Sequence, residues 1–267
     1  MSADRIATIA LCWRIERRDG MTIALTDHDK DLSVGGDTYR AAPGMTPSAI
    51  QRGEGLDADT MEAGGALHSD AITEADLVAG RWDGARVVAF AVDWSAGGAP
   101  VPLGEGRIGE VGVADGKFAA ELAGVAARLE RPVTEATSPA CRATLGDRRC
   151  RVAMAGRRRF ARVVACDGTA LTLDGVAPAA GADADGRLRW LGGANAGLES
   201  AIVASAGTVL TLRVPPSFAV VAGALVEVTE GCDRTIATCA GRFDNAANFR
   251  GEPYLPGIDL LTRYPGA

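Results

Sequence analysis

Short runs of alternating apolar and polar residues, separated by Asp-Gly dipeptides, make up most of this chain. Val209-Leu210-Thr211-Leu212-Arg213-Val214 sets Leu210, Leu212 and Val214 on one face, with Thr211 and Arg213 opposite. That two-residue period belongs to a half-buried strand. Asp-Gly recurs at Asp19-Gly20, Asp83-Gly84, Asp115-Gly116, Asp167-Gly168, Asp174-Gly175 and Asp185-Gly186. Tight two-residue turns with positive φ favour this dipeptide, so several of these positions signal hairpins. The pattern predicts strands at 8–15 with 21–26, 86–93 with 107–113, and 160–165 with 169–173, and further strands at 209–214 and 224–229.

Helical signals are few. Residues 73–80 have a threonine start and a glycine stop, and residues 121–130 place Leu122, Val125 and Leu129 on one side before Pro132. The alanine- and glycine-rich stretch 177–186 reads as a loop. Composition shifts after Pro132 to polar, turn-forming residues, which sets a domain junction near Glu135. The expectation is a mainly β protein of two β-barrel-like domains, 1–135 and 136–267, with few short helices.

A chain of 267 residues buries a substantial core without needing disulfides. Met1-Ser2-Ala3-Asp4-Arg5 is not a basic and apolar leader, and no stretch approaches about 20 apolar residues, so cytoplasmic synthesis without a membrane anchor is expected. The net charge of -6 argues against a general nucleic-acid binder. Arginine nevertheless concentrates between Arg142 and Arg162, a run read as a solvated strand face or a contact with an acidic partner.

Four of the six cysteines stand outside apolar runs. Cys141 and Cys150 are separated by eight residues, and Cys232 and Cys239 by six, in polar surroundings. Cys12 and Cys166 lie in apolar stretches and read as buried fillers. In a reducing compartment four such thiols point to metal or cluster ligation before disulfides. The pairs belong to the start and end of the second domain, and closing its sheet into a barrel would set first and last strands side by side and bring the pairs together. Neither pair has the close C-x-x-C spacing usual for structural zinc, whereas an iron-sulfur cube accepts thiolates from separate turns. A [4Fe-4S] cluster is therefore favoured, Zn2+ is second, and disulfides are third. Arg142, Arg149, Arg151 and Arg234 lie near these cysteines in sequence and would offset the charge of an anionic cluster.

The segment Cys141-Arg142-Ala143-Thr144-Leu145-Gly146-Asp147-Arg148-Arg149-Cys150 is followed far downstream by Gly231-Cys232-Asp233-Arg234-Thr235-Ile236-Ala237-Thr238-Cys239 and Phe243-Asp244-Asn245-Ala246-Ala247-Asn248-Phe249-Arg250-Gly251-Glu252-Pro253. These residues resemble the C-terminal domain of phage-derived tail hub proteins. Upstream, Trp13-Arg14-Ile15 and Thr26-Asp27-His28-Asp29-Lys30-Asp31-Leu32 resemble the N-terminal domain that accompanies it in gene transfer agents and related prophages. The resemblance implies a non-enzymatic structural hub subunit of the tail tip or baseplate, assembled in the bacterial cytoplasm and residing in the virion tail, between tail tube and tip. It further implies a homotrimer meeting a distal tail protein and a central tip or fibre protein, with DNA passing through the lumen without sequence-specific binding. The tail tip protein L of phage lambda is similar at greater distance, and its [4Fe-4S] ligands correspond to Cys141, Cys150, Cys232 and Cys239. A small iron-sulfur redox protein and a zinc-stabilised binding module are the alternatives from other classes.

Other candidate sites carry less. Asp27, His28, Asp29 and Asp31 read as a structural turn, and His68 stands alone in sequence. Gly104-Glu105-Gly106-Arg107-Ile108-Gly109 mimics a dinucleotide fingerprint but leads into a strand pattern instead of a helix. Asn245, Asn248, Phe243, Phe249, Pro253 and Pro256 are expected to form an ordered loop packed over the cysteine site.

Overall fold

The structure is a computed structural model and describes residues 8–42, 45–47, 60–66, 72–96, 99–114, 117–123 and 134–255. The chain divides into two compact units, Met1–Val133 and Thr134–Ala267. Strands predominate in both.

The first unit is one nine-stranded sheet built from β1 (Ile9–Glu16), β2 (Thr22–Thr26), β3 (Leu32–Val34), β4 (Asp37–Ala41), β5 (Met45–Pro47), β6 (Thr60–Ala66), β7 (Arg86–Asp93), β8 (Val101–Ala114) and β9 (Lys117–Ala123). Their order is β3-β4-β2-β1-β7-β8-β9-β6-β5, a half-barrel. The period of two along β1 explains its two faces. Trp13 and Ile15 join Ile23, Leu25, Val87 and Ile108 in one buried cluster, while Ala10 and Cys12 join Tyr39 and Val92 in another. Helix α1 (Glu74–Val78) starts at Thr73, whose hydroxyl accepts from the Asp76 N–H at 3.1 Å, and adds Leu77 to the first cluster. Residues 121–123 belong to β9, not to the helix expected at 121–130, because Leu122 pairs across to Met61 and Ile108. The remainder of that stretch, and Asp115-Gly116, lie outside the described residues.

The second unit is a closed barrel of six strands, β10 (Arg158–Asp167), β11 (Ala170–Leu173), β12 (Arg187–Trp190), β13 (Glu199–Ala206), β14 (Val209–Leu212) and β15 (Leu225–Thr229). The order β10-β11-β14-β13-β12-β15 closes where β10 meets β15, with Arg158 opposite Thr229 and Ala161 opposite Val226. Bulges between Val163 and Ala165 and between Ile202 and Ala204 bend the two longest strands. Such bends let a small sheet curl shut. The interior holds Leu171, Leu188, Trp190, Ile202, Leu210, Leu212, Val226 and Val228, each at most 1% exposed. At roughly 1.5–3 kcal/mol per buried large apolar side chain, this set dominates the unit's stability. Trp190 keeps its indole N–H satisfied by donating to the Ser200 hydroxyl at 3.0 Å.

Two sequence expectations are corrected in this barrel. Val214 lies beyond the end of β14 and is 60% exposed, because the chain leaves the sheet after Leu212. Cys166 sits near the end of β10, opposite Leu171, only partly buried against the core instead of filling it.

Candidate metal centre

Before β10 the chain runs from residue 134 to 157 without helix or strand, and after β15 it forms only α2 (Ile236–Gly241) and a 3-10 turn at Ala246–Asn248 before residue 255. Because β10 and β15 are adjacent, these two segments emerge at the same seam and fold together into a lobe. Among its described residues only Ala143 and Cys239 are buried apolar side chains. Two small residues do not make a hydrophobic core. Backbone and side-chain hydrogen bonds around the cysteines hold the lobe instead.

Cys141 donates its N–H to the Arg234 carbonyl at 2.9 Å, while the Arg234 N–H points at the Cys232 sulfur at 3.4 Å. The Arg250 N–H points likewise at the Cys141 sulfur at 3.4 Å. Asn245 joins the other two. Its Nδ2 donates to the Cys150 carbonyl at 2.6 Å and faces the Cys150 sulfur at 3.8 Å, its carbonyl accepts from the Cys239 thiol at 3.3 Å, and its N–H donates to the Cys239 carbonyl at 3.0 Å. All six cysteines are free thiols. Burial raises the pKa of Cys239, and the neighbouring Cys141, Cys150 and Cys232 raise it further. Cys232 is likewise raised, first by burial and also by Asp233, Cys150 and Cys141, against the N–H of Arg234. The four candidate ligands therefore share one neighbourhood. Among the described residues, no three His, Cys, Asp or Glu side chains close onto a single ion.

Local backbone shape follows from this convergence. Arg151, Arg234 and Asp244 hold positive φ of 63°, 61° and 46°, and another non-glycine residue of this kind, Asp185 at 59°, lies where Gly231 crosses the chain. Backbone strain of this kind gathers where the surroundings over-determine the chain. Gly231 is required by close approach, since a Cβ there would stand 1.8 Å from the Ala184 carbonyl oxygen. Gly251 is similarly tight against the Ala140 carbonyl, at 2.7 Å.

Capping groups fix the ligand-bearing turns. Asp147 accepts from the N–H groups of Cys150 (2.7 Å), Thr144 (2.9 Å) and Arg149 (2.8 Å), which hold its carboxyl below the usual range. Thr235 caps α2 by accepting from the Thr238 N–H at 3.2 Å, and Asp233 accepts from the Thr235 and Thr238 hydroxyls. Arg242 staples α2 to the barrel through the carbonyls of Gly231 and Ala182 and the Glu230 carboxylate.

The arginine run is mostly spent within the unit. Arg142 grips Glu252 with both terminal nitrogens (2.6 and 2.8 Å) and reaches Glu135, which Arg149 also holds. Arg157 pairs with Glu230, and Arg159 makes a two-pronged bond at 2.6 Å to Asp183, whose side chain is fully buried. Arg142 and Arg149, expected to offset cluster charge, thus already face carboxylates. Phe243 carries the guanidiniums of both Arg157 and Arg242 over its ring, at 4.9 and 4.8 Å.

In the first unit the 26–31 segment is a turn. Thr26 donates to the Leu11 carbonyl, Asp27 accepts from the Leu11 N–H, the His28 ring accepts from the Lys30 N–H, and Asp31 accepts from the Ala41 N–H. The glycines at 104, 106 and 109 lie inside β8. His68 and Pro256 lie outside the described residues.

The family model for the baseplate hub protein, N-terminal attachment domain, matches residues 1–153. The chain belongs to the baseplate hub protein family. A second family model, phage conserved hypothetical protein BR0599, matches residues 182–259. The hub chain is also similar to a solved structure, from the virion of a native gene transfer agent particle, at 38% identity and a TM-score of 0.81 over 96% of this chain and 91% of that one. Among curated proteins nothing matches. The Cys141–Cys150 pair falls under the first family match and the Cys232–Cys239 pair under the second. Among the described residues no helix of the hub is long and apolar enough to cross a membrane.

Proposed function

We infer that this hub protein is a non-enzymatic structural subunit joining tail tube to tip, and that Cys141, Cys150, Cys232 and Cys239 hold a [4Fe-4S] cluster. The observation that carries the cluster reading is a lobe in which four free thiols share one neighbourhood while only two small apolar side chains are buried. Such a lobe needs something other than oil-like packing at its centre, and ligands that bind only the folded form convert binding free energy into stability.

The donor set fits a cluster better than one zinc ion. A tetrahedral zinc with bonds of about 2.3 Å crowds its sulfurs, whereas a cube carries them at its corners, and among the described residues no three donors close on a single ion. When bound, the cluster would supply a covalent cross-link between the chain's entry to and exit from the barrel. The N–H groups of Arg234 and Arg250 and the amide of Asn245 already face three of the sulfurs, as donors to metal-bound thiolates do. The resemblance to a gene transfer agent virion chain supports a place in the tail, and in that setting the subunit works as a homotrimer between a distal tail protein and a central tip protein, around a lumen that passes DNA.

Anaerobic purification with iron and sulfide quantitation tests the cluster. About four of each per chain are expected, together with a brown chromophore that is lost on replacing any one of the four cysteines by serine. Stoichiometric zinc without sulfide, or wild-type particle assembly by a Cys232→Ser variant, refutes it.

A further inference from the structure

Beside Cys232 the lobe and the barrel wall leave two adjoining hollows of about 160 and 350 Å3, which share Asp185, Gly186, Cys232 and Arg234. Arg158 and Arg187 border the first and Arg213 the second. Arg158 on β10 and Arg187 on β12 both stand opposite Thr229 of the intervening β15, so the pleat sets them on the same outer face, roughly 10 Å apart. Arg187 has one loose ion pair, 3.5 Å to Glu199. Arg158, Arg213 and Arg234 make no ion pair among the described residues, unlike Arg142, Arg149, Arg157, Arg159 and Arg242 of the same unit.

Three uncommitted guanidiniums in one cleft call for oxyanions, and their planar forks match carboxylates. Leu145 and Met154 give the first hollow an apolar wall. Asp185, Asp233 and Glu230, the last already held by Arg157 and Arg242, stand in the walls too, and the whole chain carries a net charge of -6; both disfavour a continuous phosphate backbone. A short peptide with carboxylates spaced by apolar side chains meets both features.

We propose that this cleft is the docking site for an acidic segment of a neighbouring virion subunit. The proposal rests on the chain's place in a virion and not on the metal content of the lobe. Since Cys232 and Arg234 form its wall, the order of the cysteine lobe shapes the cleft.

The test is fluorescence anisotropy of the full chain with a labelled peptide of repeated Glu-Glu-Leu, alongside a single-stranded DNA oligonucleotide of equal charge, at low and high salt. Saturable peptide binding that weakens several-fold with salt is expected. The double variant Arg158→Glu, Arg213→Glu should lose at least tenfold in affinity with an unchanged melting temperature, while Arg189→Glu, at a residue that lines neither hollow, retains it. Should the charge reversals destabilise the barrel, Arg158→Gln, Arg213→Gln provides the same comparison. Absence of saturable binding, equal losses in the Arg189 variant, or tighter binding of DNA than of peptide overturns the proposal. Binding by iron-free protein at wild-type strength leaves docking intact and counts against the cluster alone.

Discussion

Replacing Gly231 by alanine is the sharpest perturbation of the seam between lobe and barrel. The added Cβ would stand 1.8 Å from the Ala184 oxygen, 2.2 Å from the Gly186 nitrogen and 2.3 Å from the Asp185 carbonyl carbon, all of them backbone atoms. No flexible side chain is available to give way. Overpacking of this kind costs about 1–3 kcal/mol, and rigid backbone on all sides puts it at the upper end. Pushing the strands apart also strains the 3.1 Å bond from the Gly231 N–H to the Ala182 carbonyl, worth about 1 kcal/mol. The sum is about 3–4 kcal/mol, which in a domain of this size lowers the melting temperature by about 10–15 °C. Gly241→Ala is the control: the position ends α2, has nothing within 4 Å of the added carbon, and gains up to about 1 kcal/mol of helix propensity. Calorimetry of wild type and both variants decides. A Gly231→Ala protein melting within 2 °C of wild type, with Gly241→Ala behaving as expected, would show that the seam is not close-packed.

Three further outcomes are expected. Asn245→Ala removes the side-chain donor to the Cys150 carbonyl and the acceptor of the Asn248 amide while leaving the backbone bonds to Cys239 in place, and should destabilise the second unit by about 1–2 kcal/mol in urea unfolding. Asp183→Ala leaves the Arg159 guanidinium facing a buried, empty acceptor site and should cost about 2–4 kcal/mol, read from the same urea midpoints. Arg142, then the Ser138 N–H, depress the Glu252 pKa to about 2 from the ordinary 4.5, so its contribution is present above pH 4.5 and lost as pH falls towards 2. Glu252→Gln should therefore flatten the acid limb of melting temperature against pH between 5 and 2, and an unchanged limb would reject the pairing.

The strands were legible because their chemistry is local. The Asp19-Gly20 and Asp167-Gly168 turns join β1 to β2 and β10 to β11, and the barrel closure assumed for the second domain, which sets its first and last strands side by side, is found where β10 meets β15. Residues 121–123 read as helix because Leu122, Val125 and Leu129 fit a helical stripe in sequence, while Met61, the strand partner of Leu122, lies far away along the chain. Helix α2 went unread although Thr235, an N-cap with a bond to the Thr238 N–H, stood before it; six residues are too few for a period to emerge. Asn245 was seen as a loop residue, but its role as the tie between Cys150 and Cys239 spans the whole second unit and has no local sign. The loop 177–186 gave no hint that Asp183 is buried against Arg159, since its own neighbours are alanine and glycine. The arginine run pointed outward by composition, whereas its partners Glu135, Glu230 and Glu252 are scattered along the chain.

The two sheets end in different ways, and that bears on what else can attach. A six-stranded cylinder has no rim of unpaired peptide groups, so a neighbour gripping it must do so with side chains. Among the described residues the nine-stranded sheet ends at β3 and β5, each of three residues, and Pro47 in β5 lacks an N–H to offer. Stubs this short are poor templates for an added strand. A subunit that must crowd against many others in a particle is thereby guarded against runaway strand-to-strand growth before it reaches its place.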